Sequence, residues 1–455
     1  MNTVRTLLAV AVSKDWPLFQ LNVDNAFLHG QLDEEVYMTP PPGFFQTEKT
    51  QGKVFKLLKS LYGLKQAPRQ WFSRFSDSLL SFGFTQSLND YSLFTYNKNG
   101  VFLALLVYVD DVILTGTSTT LIQQVKAYIH DLFKIKDLGQ LRYFLGFEVA
   151  RSSDGLFLNQ RKYALEIISE AGLLASKPSV VPMDCKHKLG LSTAPELSDP
   201  SSYRRLIGQL IYLTNIRPDL AYSIHILSQF MSKPTQDHLT AAHKVLRYLK
   251  GAPAQGIFYP SGQSLQMKAY CDVDWASCPV TRKSTSGYAV LLGGSLISWK
   301  TKKQAMVSRS SAEAEYRAMA HVCCELTWLH RLLLDLQVHI PTPIPLYCDN
   351  IAAMHIAKNP VFHERTKHVE LDCHVVRQHC TSGFVSPCFV PTLSQPADLL
   401  TKSIPADQLL RLASKLNIVN KLHMLSLRGV LKLIRPASKI SPVRRSIQLF
   451  LAKWM

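Results

Sequence analysis

The 455-residue chain has no run of 18 or more consecutive apolar residues, and its start, Met1-Asn2-Thr3-Val4-Arg5, lacks the pattern of a secretory signal. The first absence excludes a chain that crosses a membrane as helices; the second points to an intracellular protein, cytoplasmic or nuclear. Cysteine is missing before Cys185, and the nine copies, an odd number ending at Cys388, contain no C-x-x-C pair. That argues against a disulfide frame or a zinc ribbon and for reduced thiols, most of them small core residues. Acid is the scarcer charge: 33 Asp+Glu against 51 Lys+Arg leave a formal +18. Such a balance favours a polyanionic partner, nucleic acid ahead of an anionic membrane surface. With 47% hydrophobic residues the chain has material for two to four domains with ordinary cores.

What is present is organised around Leu105-Leu106-Val107-Tyr108-Val109-Asp110-Asp111-Val112-Ile113-Leu114. β-Branched and aromatic residues on both sides predict a buried hairpin, and adjacent carboxylates at its tip repel each other unless a cation lies between them. A tight turn whose aspartates face water is the other reading. Upstream, the pattern predicts a helix over 3–12, a strand over 16–23, an extended Pro-rich segment at 39–44, and a strand-turn and helix over 54–64 and 70–82. Lys65, Gln66, Arg69 and Trp71 mix cations, an amide and an aromatic, groups that suit a phosphate backbone and a stacked base; an ordinary basic helix start is the alternative. A helix over 120–132 and turn-linked strands over 138–149 and 155–160 follow. A linker spans 177–200, and helices broken near Pro218 and Pro234 run from 203 to 250.

The second half predicts strands over 265–272, 287–292 and 295–303, then a long helix opening at Ser310, where Ser310 and Glu313 have capping-box spacing. A strand over 344–348, helices from 351 to about 379, a strand over 384–390 and a helix from Pro396 complete a mixed α/β unit. Four carboxylates fall where strands and helices deliver residues to one end of a sheet: Asp272, Glu315, Asp349 and Asp398. Acids converging at strand C-termini suit hard, oxygen-ligated cations that activate water for phosphodiester cleavage. Singly each has another explanation: Asp349 can cap the next helix, and Glu313 rather than Glu315 can be the inward acid.

Tyr270-Cys271-Asp272-Val273-Asp274-Trp275, Arg282-Lys283-Ser284-Thr285-Ser286-Gly287-Tyr288, Ser308-Arg309-Ser310-Ser311-Ala312-Glu313-Ala314-Glu315-Tyr316, Tyr347-Cys348-Asp349-Asn350 and Ala397-Asp398-Leu399-Leu400-Thr401-Lys402 closely resemble the RNase H domain of copia-type LTR-retrotransposon Pol polyproteins. Asn25-Ala26-Phe27-Leu28-His29-Gly30, the stretch from Ser60 to Trp71, and Tyr108-Val109-Asp110-Asp111 resemble their reverse transcriptase. The resemblance is collinear from about residue 3 to the low 420s. It implies a multidomain α/β and α+β fold: a partial palm over 1–176, a linker with thumb/connection helices over 177–264, an RNase H-like mixed α/β domain over 265–421, and a basic, poorly ordered tail over 422–455. Carried over, Asp110 and Asp111 match the palm's metal-binding pair, and Asp272, Glu315, Asp349 and Asp398 match the four RNase H acids. The implied cofactor is Mg²⁺, with Mn²⁺ as substitute; the implied partners are an RNA template, a DNA primer, RNA–DNA hybrid and deoxynucleotides. Asp274 and Glu313 match no catalytic position and read as supporting surface acids. His363, His368 and His374 belong to a stretch like the family's Arg-Thr-Lys-His segment, either near nucleic acid or on a solvated helix face.

Two departures stand out. The family's third palm carboxylate is replaced by Asn22, and Asp24 is a poor substitute. An amide oxygen brings no negative charge, and losing ~3 kcal/mol of transition-state stabilisation slows a step roughly a hundredfold. The chain also starts within the palm, without the family's fingers, so a truncated copy is expected, its RNase H acids complete and its polymerase impaired. A noncatalytic nucleic-acid-binding remnant is the alternative.

Overall fold

The structure, a computed structural model, describes residues 1–41, 54–358 and 370–420. The basic tail, residues 42–44 of the Pro-rich segment, and His363 and His368 lie outside the described residues. Two compact units emerge: residues 6–145 with 328–339, and residues 1–5 and 146–327 with those from 340 onward. Among the described residues no helix is long and apolar enough to cross a membrane.

The first unit is built on a six-stranded antiparallel sheet with the order Thr85–Gln86, Leu93–Lys98, Val101–Tyr108, Asp111–Gly116, Leu18–Val23, Ile135–Gln140. Val101–Tyr108 and Asp111–Gly116 form the expected hairpin, with Tyr108 opposite Asp111 and a two-residue connection, Val109-Asp110. One face carries Leu103, Leu105, Val107, Val112, Leu114, Leu21 and Val23. They pack in one cluster with Trp71, Phe75 and Leu79 of helix Ala67–Phe82 and Ile122, Val125, Ile129 and Phe133 of helix Thr119–Phe133. Ala104, Leu106 and Ile113, which point the other way, are buried as well. Burial on both faces is why the hydrophobic run is continuous rather than alternating.

Two sheets belong to the second unit. In one, Phe147–Ser152, Gly155–Asn159, Gly256–Pro260 and Ile418–Val419 are successive antiparallel neighbours. The other has five strands in the order Ser295–Lys303, Thr285–Leu292, Met267–Asp274, Ile344–Cys348, Val385–Phe389; the first three run antiparallel, the last two parallel to Met267–Asp274. Helices Pro200–Leu213, Ala221–Ser228 and Gln236–Gly251 break near Pro218 and Pro234, as the missing proline N–H groups require. The long helix Ser311–Asp335 starts at Ser310, whose hydroxyl accepts from Glu313 N at 3.2 Å. The last predicted helix is two: Asp398–Thr401 and Ala406–Lys415, separated ahead of Pro405, the N-cap of the second.

All nine cysteines are free thiols. Only Cys271, Cys323, Cys348 and Cys373 are buried, so fewer serve as core residues than composition suggests.

Candidate metal centres

At the hairpin tip, the Val109-Asp110 turn is held from two sides. Trp71 Nε1 donates to the Val109 carbonyl at 2.7 Å, and Val23 N donates to the Asp110 carbonyl at 2.8 Å. Val109 takes φ 57°, a left-handed conformation that is costly for a β-branched residue. Asn22 lies directly opposite Asp111 on the neighbouring strand, on the sheet face turned away from the helices, and its Nδ2 donates to the Asp110 carbonyl at 3.4 Å. Gln20 Nε2 donates to Asp111 Oδ1 at 3.3 Å. The Asp110 charge, after burial, helps raise the Tyr62 phenol above its ordinary value. The tip thus presents two carboxylates with the Asn22 amide beside them. Among the described residues, both groups of three or more His, Cys, Asp or Glu ligand atoms gathered within 4.8 Å lie in the other unit.

The basic stretch within this unit divides. Lys65 and Arg69 are exposed, and Gln66 is half-buried with its Nε2 on Glu34 Oε1 at 3.0 Å. Trp71 is a correction: it is 1% exposed, its ring centroid 5.0 Å from Phe75 and edge-on to Phe133 at 5.3 Å. No base can stack on it. Helix Ala67–Phe82 starts early enough to turn position 71 inward, and the indole supports the hairpin instead.

In the second unit the parallel register sets Ala269 beside Leu346 and Tyr270 beside Tyr347. Two residues further on, Asp272 and Asp349 leave the same sheet end together. Glu315, from the first turns of the long helix, reaches them, and carboxylate oxygens of Asp272, Glu315 and Asp349 all lie within 4.8 Å of one another. Each is held by a neighbour: Glu315 Oε1 accepts from Val273 N at 3.1 Å, Asp349 Oδ2 from the Thr392 hydroxyl at 2.7 Å, and Asp272 Oδ2 from the Thr401 hydroxyl. Asp398 is outside this trio. It is joined to it by Lys402, whose Nζ stands 3.0 Å from Asp398 Oδ1 and 3.3 Å from Asp272 Oδ2.

Burial of these like charges shows in their acidities. Desolvation, then the Asp272 charge, pushes Glu315 well above the carboxylate range, and the same two causes lift Asp398 to about 7. Burial opposes the Lys402 charge, but Asp272 and Asp398 outweigh it and hold the ammonium above its ordinary value. Oxygen-only donors, buried except for the half-buried Asp349 and with one ammonium among four carboxylates, fit a hard divalent cation.

The sequence assigned Lys402 no role. Its i,i+4 spacing from Asp398 was the available signal. Glu313 is no surface acid: it is buried, accepts from Arg309 N at 2.9 Å and pairs with Arg317 at 3.0 Å, holding the helix start. Asp274 is half-buried. His374 is exposed on helix Glu370–Thr381.

A palm-type sheet with paired aspartates at a hairpin tip, followed by a mixed five-stranded sheet with acids at one end, is the fold class of a reverse transcriptase followed by an RNase H-like domain. A family model described as reverse transcriptase (RNA-dependent DNA polymerase) matches residues 1–185. The retrovirus-related Pol polyprotein from transposon RE1 of Arabidopsis thaliana is 43% identical over 416 residues, covering 91% of this chain and 28% of that protein. Its counterpart from transposon TNT 1-94 of Nicotiana tabacum is 35% identical over 419 residues, 90% of this chain and 31% of that protein. A putative transposon Ty5-1 protein of Saccharomyces cerevisiae is 33% identical over 309 residues, 67% of this chain and 100% of that protein. This chain belongs to the copia-type retrotransposon Pol polyproteins and carries their reverse transcriptase domain. It spans less than a third of the length of the two plant Pol polyproteins.

Proposed function

We propose that the second unit cleaves the RNA strand of RNA–DNA hybrids and that the first retains at most weak RNA-directed DNA polymerase activity. The observation that carries this is the gathering of Asp272, Glu315 and Asp349 oxygens within 4.8 Å, with Asp398 tied in through Lys402. These four acids would hold Mg²⁺ or Mn²⁺; Asp110 and Asp111 would do so in the palm. Bound there, the ions supply a nucleophilic water and neutralise charge developing on the phosphate.

The chain's own part is to fix oxygens in place. The Thr401 hydroxyl, the Val273 N–H and the Thr392 hydroxyl orient Asp272, Glu315 and Asp349 in turn. Lys402 balances Asp272 and Asp398 until a cation takes up that charge. Lys65 and Arg69 are exposed cations for the phosphate backbone of template or hybrid. In the palm, Asn22 puts an amide beside Asp111, so the site has one negative charge fewer than three carboxylates provide.

A hybrid with its RNA strand labelled, incubated with the full chain and Mg²⁺, tests the reading. Cleavage to 5′-phosphate and 3′-hydroxyl ends, abolished by chelation and absent on double-stranded RNA, is expected, because the hybrid's minor groove is lined with 2′-hydroxyls on one strand only. Salt-sensitive binding without any cleavage would favour the noncatalytic remnant.

A further inference from the structure

One residue back from the acids, the same parallel register brings two thiols together. Cys271 ends up beside Cys348, as Tyr270 is beside Tyr347. Both are buried, and their sulfurs lie with a Glu315 carboxylate oxygen in one group whose members are all within 4.8 Å of one another. Cys348 Sγ is 3.8 Å from Glu315 Oε2. The remaining contacts are weak: Cys271 Sγ donates to the Tyr347 carbonyl at 3.7 Å, and Cys348 Sγ accepts from Asn350 N at 3.4 Å and lies 4.0 Å from its carbonyl.

We propose that Cys271, Cys348 and Glu315 form a binding site for a thiophilic divalent cation of the Zn²⁺ or Cd²⁺ class. Around a tetrahedral zinc with bonds of roughly 2.0–2.3 Å, ligand atoms stand about 3.5 Å apart, so three donors within 4.8 Å of one another need to close by about 1.3 Å at most. Two sulfurs reject Mg²⁺ and select a softer ion, which on binding displaces the thiol protons to solvent. The thiol site and the four-acid site therefore differ in the metal they prefer but share Glu315. A cation on the sulfurs draws that carboxylate away from the oxygen-ligated place. Inhibition of hybrid cleavage by Zn²⁺ follows; that consequence rests on the cleavage reading, while the binding itself does not.

The test uses the reduced full chain and Cd²⁺ alone, read by equilibrium dialysis and by the ultraviolet thiolate-to-cadmium charge-transfer band. The natural chain is expected to hold one more tightly bound Cd²⁺ than Cys271→Ser/Cys348→Ser, with the band lost in that variant and kept in Cys278→Ser. Because the double variant can fold poorly, X-ray absorption on the natural chain with one equivalent of Zn²⁺ gives a second readout, expected to show two sulfur neighbours at about 2.3 Å. Equal Cd²⁺ stoichiometry in a folded double variant, or a zinc shell without a sulfur pair, overturns the proposal. A chain that cleaves no hybrid defeats the cleavage reading and leaves the cadmium count to decide this one.

Discussion

Asn22 is the residue on which the proposed weakness of the palm rests. It lies opposite Asp111 and its Nδ2 donates to the Asp110 carbonyl, so it brings an amide rather than a negative charge to the hairpin tip. Asn22→Asp is expected to raise primer extension on a homopolymer template at least tenfold with Mg²⁺, equivalent to about 1.4 kcal/mol in the barrier; an unchanged rate would place the lesion elsewhere. Asp398 gives a pH prediction. Its folded value of about 7 stands above the ordinary 3.8 because of burial and Asp272. The folded state therefore holds this proton more tightly, and the metal-free chain loses stability as pH rises from about 4 through 7. In chelator, Asp398→Asn should be more stable than the natural chain at pH 8, with the difference shrinking toward pH 5. Melting curves at both pH values check this, and a gap that does not change with pH would contradict it. The convergence of Asp272, Glu315 and Asp349 was legible because strand and helix ends deliver them to one end of the sheet, while the role of all four acids rested on the family resemblance. Lys402 was passed over because an i,i+4 acid–base spacing is common on helices, and its other partner, Asp272, is distant in sequence.

At the scale of elements, the hairpin, the long helix and the parallel strand pair were legible because their apolar periodicities are long and their caps and turns are local. Two misjudgements have different causes. Trp71 turns inward because helix Ala67–Phe82 starts three residues ahead of the predicted 70–82, which resets its phase, whereas Glu313, set aside for matching no catalytic position of the family, is buried and paired with Arg317. The break in the last helix was likewise hidden until Pro405 was seen as the N-cap of a second helix. Gly287 shows what the short helix Asp398–Thr401 demands of the sheet beneath it. It faces Asp272 on the adjacent strand, and a Cβ there would stand 2.7 Å from Thr401 Cγ2 and 2.8 Å from Leu400 Cβ. Gly287→Ala should therefore cost ~1–3 kcal/mol in chemical denaturation. It should also move the Thr401 hydroxyl off Asp272, cutting hybrid cleavage more than hybrid binding. Equal losses in both would mean the contact is structural only.

At the scale of the whole molecule, a formal +18 suits the polyanionic partner proposed above, and the buried acids divide between structural pairs, Asp219 with Arg217 and Glu313 with Arg317, and the proposed metal-holding group of Asp272, Glu315 and Asp398. Binding to hybrid should weaken at least tenfold between 50 and 200 mM salt. Lys65→Ala and Arg69→Ala should each lower the slope of log affinity against log salt by about one if the side chain contacts a phosphate; slopes identical to the natural chain would remove that stretch from the interface. Composition alone suggested a polyanionic partner, but it could not show that three carboxylates gather within 4.8 Å in the second unit. That depended on strands 267–274 and 344–348 running parallel with Asp272 and Asp349 at matched ends, a pairing across more than seventy residues of sequence.

The most direct test separates binding from cleavage in one variant. Asp272→Asn keeps the shape of the side chain and removes the charge shared by Glu315, Asp398 and Lys402. Measured with Mg²⁺ on one labelled RNA–DNA hybrid, it should bind within about threefold of the natural chain and cleave at least a hundredfold more slowly, roughly 2.7 kcal/mol of transition-state stabilisation. Cleavage by the variant at the natural rate would contradict the assignment of this acid cluster as the centre of the chain's chemistry.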